Sequence, residues 1–213
     1  ARLKHRTSDE YEQDIDETLE DIGHLERLIG QLLSLAGFQA RNEPTKPTEV
    51  RLDILLDGVV GVFDALAARQ GGRVVLAEAT CTSVTGDEND LRQLFNNLID
   101  NAVRHGPARG TVLVTLDTGP DSQVTVTVHD EGGHIPPGVL PHLFERFYRV
   151  DSSRSKASGG SGLGLAIARE IVLRHDGDIT ITSDPGAGTS VVVHLPRSRC
   201  QAPACSSRSS PNS

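Results

Sequence analysis

Residues 111–131 place the tightest limits on how this chain can fold. TVLVTLDT (111–118) and QVTVTVHDE (123–131) alternate apolar and polar residues and are joined through GPDS, so they read as a β-hairpin with one buried face. DITITSD and TSVVVHL, joined through PGAG, read as a second hairpin near the end of the chain. A sheet apolar on one side needs a second layer to cover it, and helices supply one. In LFNNLIDNAVRHG (94–106), Leu94, Phe95, Leu98, Ile99, Ala102 and Val103 fall on one helical stripe. VRLDILLDGVVGVFDALAARQG keeps helical spacing through Leu52, Leu55, Leu56, Val59, Val62, Phe63 and Leu66 until Gly71 and Gly72 stop it. GLGLAIAREIVLRH (162–175) returns to the same period, and RVVLAEA (73–79) reads as a further strand. The expected fold class is an α/β two-layer sandwich.

Around this unit the chain changes character. In residues 8–40, Ile15, Leu19, Ile22, Leu25, Ile29, Leu32, Leu33 and Ala36 trace a stripe with spacings of three and four, opened by Ser8 and closed by Gly37 with Pro44 and Pro47. So long a stripe is expected to pair with another helix, with folding back on the globular unit as the alternative. RNEPTKPTE (41–49) is a Pro-broken linker, and residues 50–196 form the globular domain. Residues 132–161 are rich in Gly, Pro, Ser and Arg around LFERFYR (143–149), the composition of a lid or binding segment. Residues 197–213 have nothing to bury and read as a disordered tail.

Composition excludes several functions. The formal net charge is −8, and the 21 Lys and Arg form no long run, so no nucleic-acid footprint is present. Apolar runs such as GVVGVF (58–63) fall short of the ~20 residues that cross a bilayer, and residues 1–20 are too charged for a signal peptide; a cytoplasmic protein with no direct membrane span is expected. Cys81, Cys200 and Cys205 are odd in number and lack metal-ligand spacing, which implies free thiols. With aromatics at 3% and no Trp, the core must be built mostly from Val, Leu, Ile and Ala.

Three features carry chemistry. Asn97, Asn101 and Arg104 share a second face of the 94–106 helix, where Asn is unfavourable because its amide competes for backbone hydrogen bonds. A Mg²⁺–phosphate group would explain them; a merely solvated face is the alternative. GGSGLGL (159–165) runs straight into a helix, offering backbone N–H groups and a positive dipole end to an anion, with a flexible hinge as the alternative. Its spacing is neither a P-loop nor a dinucleotide fingerprint. Asp130, at a strand end before Gly132, can accept from an exocyclic amine such as that of adenine, or simply close a turn.

Taken together, NNLIDNAVRH, DEGGHIPPG, LFERFYR, GGSGLGLAIA and PGAGT (185–189) resemble, in order and spacing, the Asn, first Gly-rich, Phe, second Gly-rich and terminal Gly motifs of the sensor histidine kinase ATP-binding domain. That domain belongs to the GHKL, or Bergerat-fold, superfamily. The resemblance implies a Bergerat-type sandwich of mixed, mainly antiparallel sheet and helices, preceded by a long helix, over roughly residues 50–196. LERLIGQLLSLAG resembles the second helix of the family's dimerisation hairpin, so residues 1–40 would be a partial dimerisation or docking segment. The implied cofactors are ATP and Mg²⁺. Asn101, assisted by Asn97, would hold the metal. Arg104 would reach a phosphate, His105 would cover the adenine and Asp130, with Gly132 beside it, would accept from its amino group. Gly160, Gly162 and Gly164, with Leu163 and Leu165, would shape the phosphate cradle, and Thr189 would lie near the adenine. Residues 145–161 would be a mobile lid with Arg149 and Lys156 as cations; Asn97, Arg104 and Lys156 would serve catalysis.

Superfamily members that hydrolyse ATP or phosphorylate serine carry Glu where this chain has Asn97. A carboxylate can act as a general base and an amide cannot, so Asn97 points to transfer onto an imidazole. The sequence departs from the family twice. His134 stands where the family has a second Gly, and a left-handed backbone there would cost a side chain ~1–2 kcal/mol and crowd the nucleotide. No His-Glu-x-x-Arg-Thr-Pro acceptor motif occurs: His5 precedes Arg-Thr-Ser, and His24 lies mid-helix. The expected activity is therefore that of a protein-histidine kinase subunit acting in trans on a separate hairpin-domain protein, with a response regulator downstream. Helix 8–40 would pair it with that partner or with a second copy, and a membrane sensor could recruit it. A degenerate, non-catalytic module that regulates other sensors is the alternative, and an ATPase or chaperone is disfavoured by Asn97.

Overall fold

The computed structural model describes residues 47–77, 79–119, 123–149 and 161–198, together with Tyr11, Ile15, Thr18, Ile22, Gly23, Leu25, Ile29 and Gly30 of the N-terminal segment. Strands β1 (Thr48–Arg51), β2 (Arg73–Leu76), β3 (Ser83–Gly86), β4 (Thr111–Thr118), β5 (Gln123–Asp130), β6 (Asp178–Asp184) and β7 (Gly188–Pro196) alternate with helices α1 (Leu52–Ala68), α2 (Glu88–His105) and α3 (Gly164–Arg174). Five strands form one sheet in the order β2-β4-β5-β7-β6. β2 runs parallel to β4 and the other pairs are antiparallel, as expected of a mixed, mainly antiparallel sheet.

Alternation along each strand decides what faces the helices. Val112, Val114 and Leu116 of β4, Val124, Val126 and Val128 of β5, and Val191, Val193 and Leu195 of β7 are all buried. Against them α2 packs Leu94, Phe95, Leu98, Ile99 and Ala102, while Val103 packs at the margin. Among the described residues Phe95 is the only fully buried aromatic, so the core is aliphatic as the composition requires.

Helix ends follow local chemistry. Asp87 caps α2, its carboxylate accepting from Asn89 N at 2.8 Å and Asp90 N at 3.4 Å. Acidic Glu88 and Asp90 lie in the first turn and basic Arg104 and His105 in the last, complementing the helix dipole. Asp64 of α1 accepts from Val74 N at 2.9 Å and Arg73 Nε at 3.1 Å, which covers part of the exposed edge of β2. The Val74 N–H, then Arg73, hold the Asp64 carboxyl below the usual carboxylate range.

Three local expectations are revised. β1 and β3 pair as a separate two-stranded sheet, so Thr48 and Glu49 are in a strand, and α1 begins at Leu52. Four-residue strands are too short to show a period. β2 ends at Leu76, the last residue in register with β4, and beyond it Ala77 N still donates to Val114 O at 2.9 Å. The start of the expected disordered tail is tied down: Arg197 bridges Val84, and Ser198 N donates to Ser83 O at 3.0 Å. Residues 199–213 lie outside the described residues. Of the N-terminal stripe, Ile15, Ile22, Leu25 and Ile29 are helical and 48–57% exposed; Leu19, Leu32, Leu33 and Ala36 lie outside.

Candidate functional site

At one end of the five-stranded sheet the inward-facing series turns polar. β5 runs Val124, Val126, Val128, Asp130 on its buried face, and β7, read backwards, runs Leu195, Val193, Val191, Thr189. Val112, Asp130, Thr189 and Ser183 are successive cross-strand partners across β4, β5, β7 and β6, and none is more than 6% exposed. A row of three polar side chains here continues rows that elsewhere are aliphatic. Buried polar groups of this kind need partners. Asp130 Oδ1 accepts from Gly132 N at 2.8 Å, and Thr189 Oγ1 donates to Ser183 Oγ at 3.2 Å.

Burial raises the Asp130 carboxyl above the usual carboxylate range, against the lowering influence of the Gly132 N–H and of His129 and His105. The native state then binds this proton more tightly than the unfolded chain. Between the ordinary and the raised value, the group's contribution to stability falls as pH rises. Asp130→Asn is expected to remove that slope and leave the protein at least as stable near neutrality. Thermal unfolding of both proteins across mildly acidic to neutral pH checks this; identical slopes would contradict it.

His105 is exposed, yet the surrounding protein disfavours its cation enough to lower its pKa, more than Asp130 raises it; Arg104 and Arg149 lower it further, while Asp100 opposes them. Those influences put Asp130, His105, Arg104, Asp100 and Arg149 in one electrostatic neighbourhood at the C-terminal end of α2. Arg104 Nε donates to Asp100 Oδ2 at 2.7 Å, so that nitrogen is committed to an i,i+4 ion pair and not left for a phosphate.

Farther back along α2, Asn97 faces the start of α3. A Cβ placed on Gly164 would lie 3.9 Å from Asn97 Cβ and Oδ1. Asn97 Nδ2 is buried without a hydrogen-bond partner, and such an orphan costs about 1–3 kcal/mol until an acceptor arrives. Asn101 lies one turn on, half-buried on the same face. Leu163 is fully buried in the core, and its N–H donates to Ser161 Oγ at 3.1 Å. It therefore anchors α3 instead of presenting its side chain or N–H to a ligand, while Leu165 packs partly against the same core.

The LFERFYR segment is held against α3. A 3-10 turn spans Leu140–Phe144, Arg169 lies 5.9 Å over the Phe144 ring, and His142 bonds Glu145 at 2.7 Å. Phe147 N donates to Gly162 O at 2.9 Å, and both residues are left-handed, with φ of 63° and 69°. Phe147 is 62% exposed and carries the ~1–2 kcal/mol cost of that conformation, a local strain of the kind found beside functional sites. The clasp closes the base of the segment running from Tyr148 to Ser161. Lys156 and Gly160 lie outside the described residues.

The left-handed backbone on which strain at His134 depended is not found. Among the described residues Phe147 and Asp176 are the only non-glycines with positive φ, and His134 is exposed. Its side chain therefore strains nothing. Sequence reasoning missed Ser183, Asp100 and the strained Phe147. Only Asp100 had a visible signal, its four-residue spacing from Arg104.

Among the described residues no group of three or more His, Cys, Asp or Glu could hold a metal, and no helix is long and apolar enough to cross a membrane. Residues 86–199 match the family of histidine kinase-, DNA gyrase B- and HSP90-like ATPases. The chain is 36% identical over 173 residues to the phosphate regulon sensor protein PhoR of Pseudomonas aeruginosa, covering 81% of this chain and 39% of that protein. It is 39% identical over 199 residues to the sensor histidine kinase CusS of Escherichia coli (strain K12), covering 92% of this chain and 40% of that protein. The chain thus spans about two fifths of the length of these curated relatives. Its fold matches full-length ShkA, solved in complex with AMPPNP, with a TM-score of 0.77 at 25% identity over 96% of this chain and 42% of that one. Matched by one family over more than half its length, the chain belongs to the histidine kinase-, DNA gyrase B- and HSP90-like ATPases, as an ATP-binding domain of the sensor histidine kinase type.

Proposed function

We propose that this domain passes the γ-phosphoryl group of Mg-ATP to a histidine outside these 213 residues, on a partner chain. The buried, unpartnered amide of Asn97 beside Gly164 carries the reading, because a phosphate oxygen would satisfy it. Asn97 and Asn101 would hold the magnesium through amide oxygens, a fitting donor type for a hard ion that retains phosphate oxygens and waters as its other ligands. The ion supplies charge neutralisation between the phosphates. Asp130 and Thr189 would receive the adenine edge, with His105 over it, and Gly162 and Gly164 would leave room for the phosphate chain. Arg149 and Lys156 would add positive charge from the lid side, and Arg104 would do so only where its pairing with Asp100 allows.

An amide at position 97 cannot deprotonate a nucleophile, which suits an acceptor that needs no base. The lone pair of a neutral imidazole nitrogen forms the P–N bond as the bond to the β-phosphate oxygen breaks. ADP leaves with that electron pair, and the other ring nitrogen releases its proton to solvent. Asp130, buried and strand-borne, favours a base with an exocyclic amine. The relaxed, exposed His134 supports this reading over a non-catalytic module, for which a crowded nucleotide site was the main argument.

Helix 8–40 is proposed to dock the partner or a second copy, and a response regulator is proposed to take the phosphoryl group onward. Incubation with γ-labelled ATP, Mg²⁺ and a hairpin-domain acceptor is expected to label the acceptor histidine. ATP binding without any transfer to such acceptors would overturn the transfer reading, and fast turnover with no acceptor present would replace it with an ATPase.

A further inference from the structure

Ser183 stands outside the ligand set that the family resemblance implies, yet three segments of the site meet at its oxygen. Ile135 N, from the loop after Asp130, donates to Ser183 Oγ at 3.0 Å, and Thr189 Oγ1 donates to the same atom at 3.2 Å. Ser183 pairs with Thr189 across β6 and β7, and Thr189 pairs with Asp130 across β7 and β5. All three side chains are 6% exposed, so solvent does not compete for these bonds.

A hydroxyl has one proton and two lone pairs. Thr189 directs its proton to Ser183 and so offers only lone pairs to anything beside Asp130. The Asp130 carboxylate likewise only accepts. Thr189 and Asp130 thereby present only acceptors, which matches the 6-amino group of a purine and repels the oxygen of a 6-oxo group. Without Ser183, the Thr189 proton would be free to turn toward the base and offer the 6-oxo group a donor.

We propose that Ser183 is the positioning residue that sets 6-amino over 6-oxo purine selectivity, acting through the Thr189 hydroxyl. The proposal rests on the nucleotide-site reading above. It treats Ser183 as never touching the ligand, so its signature is a changed ratio of affinities and not a uniform loss.

The test compares ATP with inosine triphosphate, which replaces the 6-amino group by a 6-oxo group, using calorimetry on the full chain with Mg²⁺. Ser183→Ala is expected to weaken ATP, hold or strengthen inosine triphosphate, and shrink the ratio of the two about fivefold to tenfold, the size of one redirected hydrogen bond. Ser183→Cys, nearly isosteric but a poor acceptor, serves if the alanine variant does not fold, and is expected to shrink the ratio in the same direction. In a Thr189→Val background, Ser183→Ala should leave the ratio unchanged, because the group it acts through is gone. A purely structural Ser183 would lower both affinities together and leave the wild-type ratio intact, which overturns the proposal. A wild-type chain that binds neither nucleotide overturns the nucleotide-site reading beneath it.

Discussion

Gly188→Ala is expected to destabilise the domain by about 3 kcal/mol, the sum of ~1–2 kcal/mol for a left-handed side-chain residue and ~1–3 kcal/mol for overpacking. Gly188 opens β7 at φ 84°, and a Cβ there would run into the backbone carbonyl of Asp130 and approach Glu131 Cα at 3.0 Å. Backbone cannot step aside by changing rotamer. Relief would require moving β7 away from β5, which breaks the pairing of Asp130 with Thr189. Gly186, two residues earlier in the same turn, separates the two effects. Its φ is 79°, but a Cβ there meets nothing within 4 Å, so Gly186→Ala should cost only the conformational ~1–2 kcal/mol. At roughly 2–4 °C per kcal/mol for a domain of this size, the two variants should melt several degrees apart. Equal melting temperatures would show that the approach to Asp130 does not govern this turn.

Asn97→Ala and Asn101→Ala should each reduce phosphotransfer by two orders of magnitude or more, the usual loss when a group that stabilises transition-state charge is removed. Their effects on stability should differ from those of core variants. Asn97 Nδ2 is an unsatisfied buried donor, so removing it takes away a penalty of about 1–3 kcal/mol along with some packing. Asn97→Ala is therefore expected to unfold at the same temperature as the parent or higher while losing activity. Such opposition between stability and activity is the mark of a group placed for a ligand. Labelled-ATP transfer and thermal unfolding on the same preparations provide both measurements. A variant that kept transfer within tenfold of the parent, or that lost activity only by unfolding, would remove Asn97 from the site.

Much of this arrangement was legible beforehand because one-sided burial leaves a periodic trace. The alternation in QVTVTVHDE placed Asp130 in phase with Val124, Val126 and Val128, hence on the inward face. The i, i+3, i+4 spacing in residues 94–106 put the core stripe and the amide face on opposite sides of α2. β1 and β3 were not legible, since four residues paired across a gap of more than thirty leave no period to detect.

The site divides along the same line. Asn97, Asn101 and Asp130 announce themselves by residue type and spacing. For Arg104, the spacing from Asp100 predicts an ion pair as readily as its position predicts a phosphate contact, and the observed 2.7 Å contact of Nε shows the ion pair. Whether His134 strained the backbone turned on one dihedral angle, which residue identity restricts but does not set.

The sequence by itself determined the α/β sandwich, the helix carrying the two asparagines, and the inward carboxylate at the end of β5, because burial patterns and side-chain chemistry are local and repeat along the chain. Only the tertiary structure decided that Ser183, Thr189 and Asp130 share one row, that Phe147 N bonds Gly162 O, and that Gly188 admits no side chain. Each of these is a contact between segments distant along the chain, set by strand register and close backbone approach, and neither leaves a mark in residue order.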